Sequence, residues 1–262
     1  MTIYNILWYF FIYAFLGWCL EVCFCSIQTG SFVNRGFLNG PVCPIYGFGM
    51  LIAGSSLAPV RDNLILLFFG GMVLASALEL VGGWALKKLF HTTWWDYSDE
   101  PLNIGGYICL KFSLAWGVCV TFAVRVLHPA VAALVDHIPH VLGVVLCAVF
   151  CVLIVIDIAA TVASILRLEK ALGRISVVAA RMREGSDAIA ESLGDKAIAV
   201  DGRLDSYGPE FSARMDLLRA EMADSRHRAE LRLLRAFPRM KNLRHSEALD
   251  VLREWIQSKN EK

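Results

Sequence analysis

The chain has 262 residues, of which 56% are hydrophobic and 19% charged, a composition more apolar than that of an average soluble domain. Its formal net charge of +1 hides an uneven distribution of charged residues: 14 lie in residues 1–166 and 35 lie in residues 167–262. This distribution excludes a single soluble globule and a disordered chain. It predicts a transmembrane domain over residues 1–166 and a polar tail over residues 167–262.

Five segments are apolar enough to cross a bilayer, which takes about 20 residues. The second is the weakest, because it is short and contains two prolines and three glycines, and it is predicted to be either a full span or a broken, re-entrant helix. The fold class that follows is all-α, a polytopic membrane bundle of about five transmembrane helices with a cytoplasmic, coiled-coil-like helical tail. The five segments are Ile3–Ser26, Val42–Val60, Leu64–Leu86, Gly106–Leu127 and Val141–Leu166.

Basic residues near the ends of the spans predict the orientation. Five of them follow the last span within residues 167–183, and three more lie in the loops 27–41 and 87–105, which share the side of the tail. The loops on the opposite side carry two, Arg61 and Arg125. We therefore expect the N-terminus outside and the tail in the cytoplasm.

Four charged side chains fall inside these spans, namely Glu21, Glu79, Lys111 and Asp157. At about 1.5 Å per residue, all four lie in the cytoplasmic third of a core about 30 Å thick. Isolated charges there are costly and are expected to face a cavity or one another, so the pattern predicts a polar chamber open to the cytoplasm. The alternative is that Lys111 pairs with one glutamate while the others reach the headgroups or, for Asp157, form a protonated hydrogen bond between helices.

The first cytoplasmic loop, residues 34–47, reads NRGFLNGPVCPIYG. Its glycines and prolines predict tight, unusual backbone rather than a passive linker. Arg35 in this loop can hold an anion with a bidentate grip. We count Arg35 among the candidate binding residues, and Asn34 and Asn39 among the gate or interface residues.

The second cytoplasmic loop contains Trp94, Trp95, Asp96 and Tyr97, followed by Asn103. Paired tryptophans followed by polar residues predict either an anchor at the membrane interface or a lid over a ligand, and composition favours the anchor. We count Asp96 as a candidate binding residue and the other four as gate or interface residues.

The tail begins with apolar residues in a 4-3 spacing from Leu168 to Leu193, which predicts a helix that pairs with another helix or packs against its own chain. A second helix is predicted from Phe211 to about Phe237, where Pro238 ends it, and a third over roughly Ser246–Ser258.

Three basic residues, Arg228, Arg232 and Arg235, share one face of the second tail helix. This face predicts contact with anionic lipid, or a solvated basic surface. Nucleic-acid binding is not expected, because the segment is tethered to a membrane and has no stacking aromatic residues. The chain also has no P-loop, GxGxxG, HExxH or GxSxG motif, so we predict no catalytic residue, no cofactor and no metal site.

Residues 34–47, with WWDYS at 94–98 and NIGGYIC at 103–109, resemble the putative ABC-transporter type IV permease family of bacterial multi-pass membrane proteins. The resemblance covers about residues 5–130, and LLRAFPRMK at 233–241 also resembles that family. It implies a permease-like protein of the bacterial cytoplasmic membrane. It further implies a separate ATPase subunit as partner and no catalytic residues.

Three functions compete at this stage. The first is a transport component whose chamber binds a small cationic or zwitterionic solute or a coupling proton. The second is a membrane-embedded enzyme acting on lipid at the inner leaflet, with Glu79 or Asp96 as general base and Arg35 on a headgroup phosphate. The third is a membrane-anchored scaffold or signalling protein that works through its tail. The expected partners are the lipid bilayer and further copies of the chain, joined through membrane helices or tail.

Overall fold

The computed structural model describes residues 2–193, 228–250 and 252–253. Within these residues, four helices are long and apolar enough to cross a membrane, which confirms the all-α membrane bundle. The helices in chain order are α1 (Ile3–Thr29), α2 (Pro44–Ser56), α3 (Leu64–Phe90), α4 (Leu110–Phe122), α5 (His128–Asp136), α6 (His140–Leu193) and α7 (Arg228–Ala236). A π-helical turn, Ala123–Leu127, joins α4 to α5 in one continuous span, Leu110–Asp136.

The second predicted span, Val42–Val60, is a broken helix. Its helical part, α2, covers only Pro44–Ser56, roughly 20 Å at about 1.5 Å per residue and short of a core about 30 Å thick. Pro44 occupies the first helical position, where a missing N–H costs no hydrogen bond. Residues 30–43 before it are not helical.

The non-helical stretch 30–43 runs back along α1. The Cys43 N–H donates to the Ala14 carbonyl at 2.9 Å, and Ala14 lies roughly 22 Å along the helix axis from the end of α1 at Thr29. From there α2 continues towards the start of α1, with Gly47 close against Phe10. The segment therefore follows most of the length of α1, first as extended chain and then as helix.

The extended stretch is held by Asp157 of α6. Its Oδ1 accepts from the N–H and the side-chain amide of Asn39, each at 3.0 Å, and its Oδ2 accepts from the Gly40 N–H at 2.7 Å. The Asn39 amide also donates to the Thr161 hydroxyl at 2.9 Å. Backbone groups outside helices must find such partners where water is absent. Asp157 accepts in all three bonds, two of which come from loop backbone. The hydrogen bond between helices, one of the alternatives for Asp157, is not among these contacts.

Asn34 stabilises the conformation of the same stretch with three hydrogen bonds. Its Oδ1 accepts from the Trp18 indole N–H at 2.7 Å and from the Gly36 N–H at 3.2 Å, while its amide donates to the Asn39 carbonyl at 2.9 Å. The two asparagines predicted as gate residues thus fix the shape of this loop.

The second loop is ordered by two short strand pairs. Strands β2 (Asn103–Ile104) and β3 (Ile108–Cys109) pair antiparallel. Strand β1 (Thr92–Thr93) pairs with β4 (Lys241–Asn242). Asn103 ties the intervening turn, because its amide donates to the carbonyls of Ser98 and Glu100 and its Oδ1 accepts from the Gly106 N–H.

The described chain divides into two compact units. The first contains Met1–Val162 and Arg235–Lys241, and the second contains Ala163–Leu234 and Asn242–Lys262. In the first unit, Trp8, Tyr9 and Tyr13 of α1 form one core cluster with buried residues of α5 and α6.

In the second unit, the first three positions of the predicted 4-3 pattern, Leu168, Leu172 and Ile175, are buried. The same stretch of α6 contacts the chain's own C-terminal part, since Glu169 pairs with Arg244 at 2.9 Å and Ser176 bonds to His245 at 3.0 Å. This packing against its own chain is one of the two predicted arrangements.

Parts of the predicted tail lie outside the described residues. These are the side chains of the 4-3 pattern from Ala179 on, most of the helix predicted from Phe211, and the end of the helix predicted over Ser246–Ser258. The described end of the second tail helix, Ala236 in α7, precedes Pro238 as predicted.

We expect Asp157→Asn to lower the free energy of unfolding by about 2 kcal/mol, because the new amide group faces an N–H donor where an acceptor stood. The measurement is thermal unfolding of the purified protein in detergent. Asp136→Asn is the matched control, since Asp136 is exposed at the end of α5. Equal unfolding temperatures for the two variants would contradict the role assigned to Asp157.

Candidate functional site

One end of the bundle, called here the loop end, carries the loops 30–43 and 91–109. A group of polar side chains lies there, on four helices and both loops, and we name it the carboxylate cluster. Its members are Glu21, Arg35, Tyr46, Glu79, Tyr97 and Trp116.

Glu21 of α1 has two partners, one in α2 and one in the extended stretch 30–43. The Tyr46 hydroxyl donates to its Oε1 at 2.5 Å, and the Arg35 Nε lies 3.3 Å from its Oε2. Both the Glu21 and the Arg35 side chains keep about a quarter of their surface exposed, 26% and 28%. The extended stretch 30–43 and α2 thus bring a guanidinium and a tyrosine to a carboxylate inside a membrane span.

Close contact between α1 and α2 makes this possible. A Cβ atom at Gly17 would lie 2.2 Å from the Tyr46 Cγ, nearer than non-bonded carbons approach. Gly17 is one helical turn before Glu21, so the Tyr46 ring crosses α1 at the glycine and its hydroxyl reaches the carboxylate.

Glu79 of α3 accepts two hydrogen bonds from neutral donors. The Trp116 indole N–H donates to its Oε2 at 3.1 Å, and the Tyr97 hydroxyl donates to its Oε1 at 3.2 Å. Burial and the neighbouring Glu79 carboxylate raise the pKa of Tyr97 far above its usual value, so this hydroxyl keeps its proton. The Tyr97 ring stacks on Phe112 with centroids 4.8 Å apart.

The surroundings of the two glutamates are in contact. The Tyr46 ring, whose hydroxyl binds Glu21, packs edge to face on the Trp116 ring, whose N–H binds Glu79, with centroids 5.8 Å apart. Glu21 and Glu79 therefore belong to one polar group rather than to two separate sites.

The charges of the carboxylate cluster do not balance. Among the contacts of the described residues, Arg35 is the one cation that pairs with either glutamate, and it pairs with Glu21. With both carboxylates ionised, the cluster carries one excess negative charge at a depth where isolated charge is costly. This arrangement suits the binding of a proton or of a small cation.

Lys111 does not join the predicted chamber, and that prediction is wrong. Its Nζ pairs with Glu100 at 3.3 Å, and its side chain is 65% exposed. The reason is that α4 begins at Leu110 rather than Gly106, so Lys111 is the second residue of the helix rather than five residues deep. Asp157, the fourth predicted member, contacts Asn39, Gly40 and Thr161 instead.

Trp94 and Trp95 pack within the loop end. Trp94 is 4% exposed, and its ring contacts Phe37, Phe90 and Phe237 at centroid distances of 5.0, 6.3 and 5.1 Å. The Trp95 indole N–H donates to the Tyr107 carbonyl at 2.9 Å. Trp94 is therefore part of an aromatic core, a role that neither the interfacial anchor nor the lid anticipated.

Asp96, a candidate binding residue, contacts Lys241 of the tail. Its Oδ2 lies 2.6 Å from the Lys241 Nζ, and its Oδ1 accepts from the Ser98 hydroxyl at 2.5 Å and from the Ser98 N–H at 2.9 Å. These bonds lower the pKa of Asp96 to about 2. The contact with Asp96 also raises the pKa of Lys241. The ion pair therefore persists from above the pKa of Asp96 up to the alkaline range in which Lys241 loses its proton, and it is lost as the pH falls through the pKa of Asp96.

Sequence reasoning missed two members of the cluster, Tyr46 and Trp116. The signal that could have found them is their polar tip inside an apolar segment, because buried tyrosine hydroxyls and tryptophan N–H groups usually have a partner. The lipid contact of Arg228, Arg232 and Arg235 stays a prediction; Arg235 is exposed on α7.

The chain matches the family described as putative ABC-transporter type IV over residues 8–162, more than half of its length. The matched region contains the whole carboxylate cluster, both loops of the loop end and Asp157. No curated protein and no solved structure matches the chain.

We expect Gly17→Ala to destabilise the protein, because the new methyl group must displace Tyr46 and break its bond to Glu21. Gly54→Ala in α2 is the control, since nothing lies within 4 Å of a Cβ there and alanine favours a helix by up to about 1 kcal/mol. Thermal unfolding should show a lower midpoint for Gly17→Ala and an unchanged or higher one for Gly54→Ala. Equal midpoints would argue against the tight contact.

Proposed function

Because this chain belongs to the family described as putative ABC-transporter type IV, we propose that it is the membrane component of a transport system. In this proposal the carboxylate cluster is the binding site for a coupling proton or a small cationic solute. The observation that carries the proposal is the unbalanced charge of Glu79, which has two neutral donors as its partners.

The excess negative charge of the carboxylate cluster limits what the site can bind. An anion would add to the excess negative charge, and a neutral solute would leave it uncompensated in a medium of low dielectric. A proton or a small cation removes it. A zwitterion also fits, with its ammonium group at Glu79 and its carboxylate at Arg35, which is half-buried and pairs with Glu21 through Nε.

We propose that the site opens at the loop end. The side chains of Glu21 and Arg35 are partly exposed there, whereas the aromatic core around Tyr13 lies towards the opposite end of α1. The excess of basic residues in the loops 27–41 and 87–105 supports a cytoplasmic location for the loop end. The N-terminus is then outside, and the membrane is the bacterial cytoplasmic membrane.

A separate ATPase subunit is the partner that the family name suggests. These 262 residues contain no P-loop motif, so in this proposal the nucleotide site lies outside them. Loops at the loop end are the natural contact for such a subunit. Association of copies through the membrane helices is a further proposal, and the large apolar side chains exposed on these helices suit contact with lipid tails.

The enzyme alternative finds less support in the site. Asp96, one of its two candidate bases, pairs with Lys241 and has a pKa lowered to about 2, and a carboxylate with so low a pKa is a weak base at neutral pH. We therefore propose a transport role without catalysis by this chain.

The test uses the purified full chain in liposomes with two probes, proton flux reported by an enclosed pH-sensitive dye and uptake of radiolabelled methylammonium. We expect Glu79→Gln to reduce protein-dependent flux at least about tenfold, because a neutral amide removes the excess charge that attracts a cation. Glu100→Gln is the matched control, since Glu100 pairs with the exposed Lys111.

Two outcomes would overturn the proposal. One is equal flux for Glu79→Gln and the unaltered protein. The other is an unaltered protein that moves neither probe faster than empty liposomes.

A further inference from the structure

A short piece of the tail packs into the first compact unit. This piece, Arg235–Lys241, is named here the tail strap. The Phe237 ring meets the Trp94 ring edge to face at 5.1 Å, and the Lys241 Nζ lies 2.6 Å from the Asp96 carboxylate. Strand β4, which begins with Lys241, pairs with β1.

All of these contacts fall on residues 92–96, directly before Tyr97. Asp96 is held from two sides, by Lys241 at Oδ2 and by Ser98 at Oδ1. The Tyr97 N–H itself donates to the Gly106 carbonyl at 2.9 Å. One carboxylate oxygen of Asp96 thus binds Ser98 across Tyr97, and the other binds Lys241 of the tail strap.

Tyr97 is the loop residue that reaches Glu79. Its hydroxyl donates at 3.2 Å, near the long end of the range for such bonds, so a small displacement of the loop is enough to break it. After such a loss, Trp116 would remain as the donor to Glu79 among the described contacts.

We propose that Lys241 is a positioning residue of the carboxylate cluster. By pairing with Asp96 it fixes the turn 96–98 and thereby places the Tyr97 hydroxyl on Glu79. This inference rests on the proposed function for its effect on transport, but the positioning itself is independent of any transport activity. It assigns a residue of the polar tail to the construction of a site inside the membrane domain.

The first test is a double-mutant cycle on thermal unfolding of the full chain, with Lys241→Met and Tyr97→Phe. If Lys241 acts through the Tyr97 hydroxyl, the free energy of unfolding of the double variant is little lower than that of Lys241→Met alone. Arg239→Met is the control, because Arg239 is exposed in the same strap and its effect should add to that of Tyr97→Phe. Additive effects for Lys241→Met would overturn the proposal, whatever the transport assays give.

The second test is methylammonium uptake in liposomes. A carboxylate with one donor fewer holds a cation more tightly, so Lys241→Met should lower the half-saturating concentration about threefold and slow the maximal rate. Lys241→Arg should restore both values, because arginine keeps the charge that pairs with Asp96. An unchanged half-saturating concentration in Lys241→Met would contradict the proposal.

The two tests separate this inference from the proposed function. The double-mutant cycle can show non-additive effects in a protein that moves neither protons nor methylammonium. That result would support the positioning of Tyr97 by Lys241 and overturn the transport function alone.

Discussion

The structure depends on one constraint, that backbone polar groups inside a membrane need partners other than water. Helices meet it by themselves, but residues 30–43 do not form one. Asp157 meets it for the central part of this stretch by accepting the N–H groups of Asn39 and Gly40. Once the stretch is fixed, α2 begins at Pro44 and the Tyr46 hydroxyl lies against Glu21. The polar site is in this sense a result of how the chain crosses the membrane without a full helix.

The carboxylate cluster is assembled from distant parts of the sequence. α1 and α3 supply the two acids, while the donors come from the broken helix, from α4 and from both loops at the loop end. Such a site is sensitive to movement of any one element, because each donor sits on a different one. In our proposal the tail strap adds a seventh contribution through Lys241 and Asp96, which links the position of a tail segment to a charge within the bundle.

The sequence predicted the features that depend on local composition. Apolar length gave the spans, Pro238 marked the end of α7, and the prolines and glycines of Val42–Val60 indicated a helix that is not continuous. It could not predict the partners. The position of Lys111 depended on where α4 begins, which the strand pair before it decides. The partner of Asp157 is mainly loop backbone, which carries no residue pattern, and the docking of Phe237 on Trp94 joins residues that no local pattern relates.

The hydrogen bonds between Asp157 and the first loop also affect the order in which segments of the chain insert into the membrane during synthesis. Gly40 and Asp157 are separated by 117 positions, which is roughly 6 to 23 s of synthesis at about 5–20 residues per second. During that interval the extended stretch has no acceptor for its central N–H groups, and the 13-residue α2 is too short to insert as an independent span. The insertion of residues 30–56 is therefore completed late, after Asp157 of α6 has left the ribosome. Until then these residues are in contact with water or with the insertion machinery.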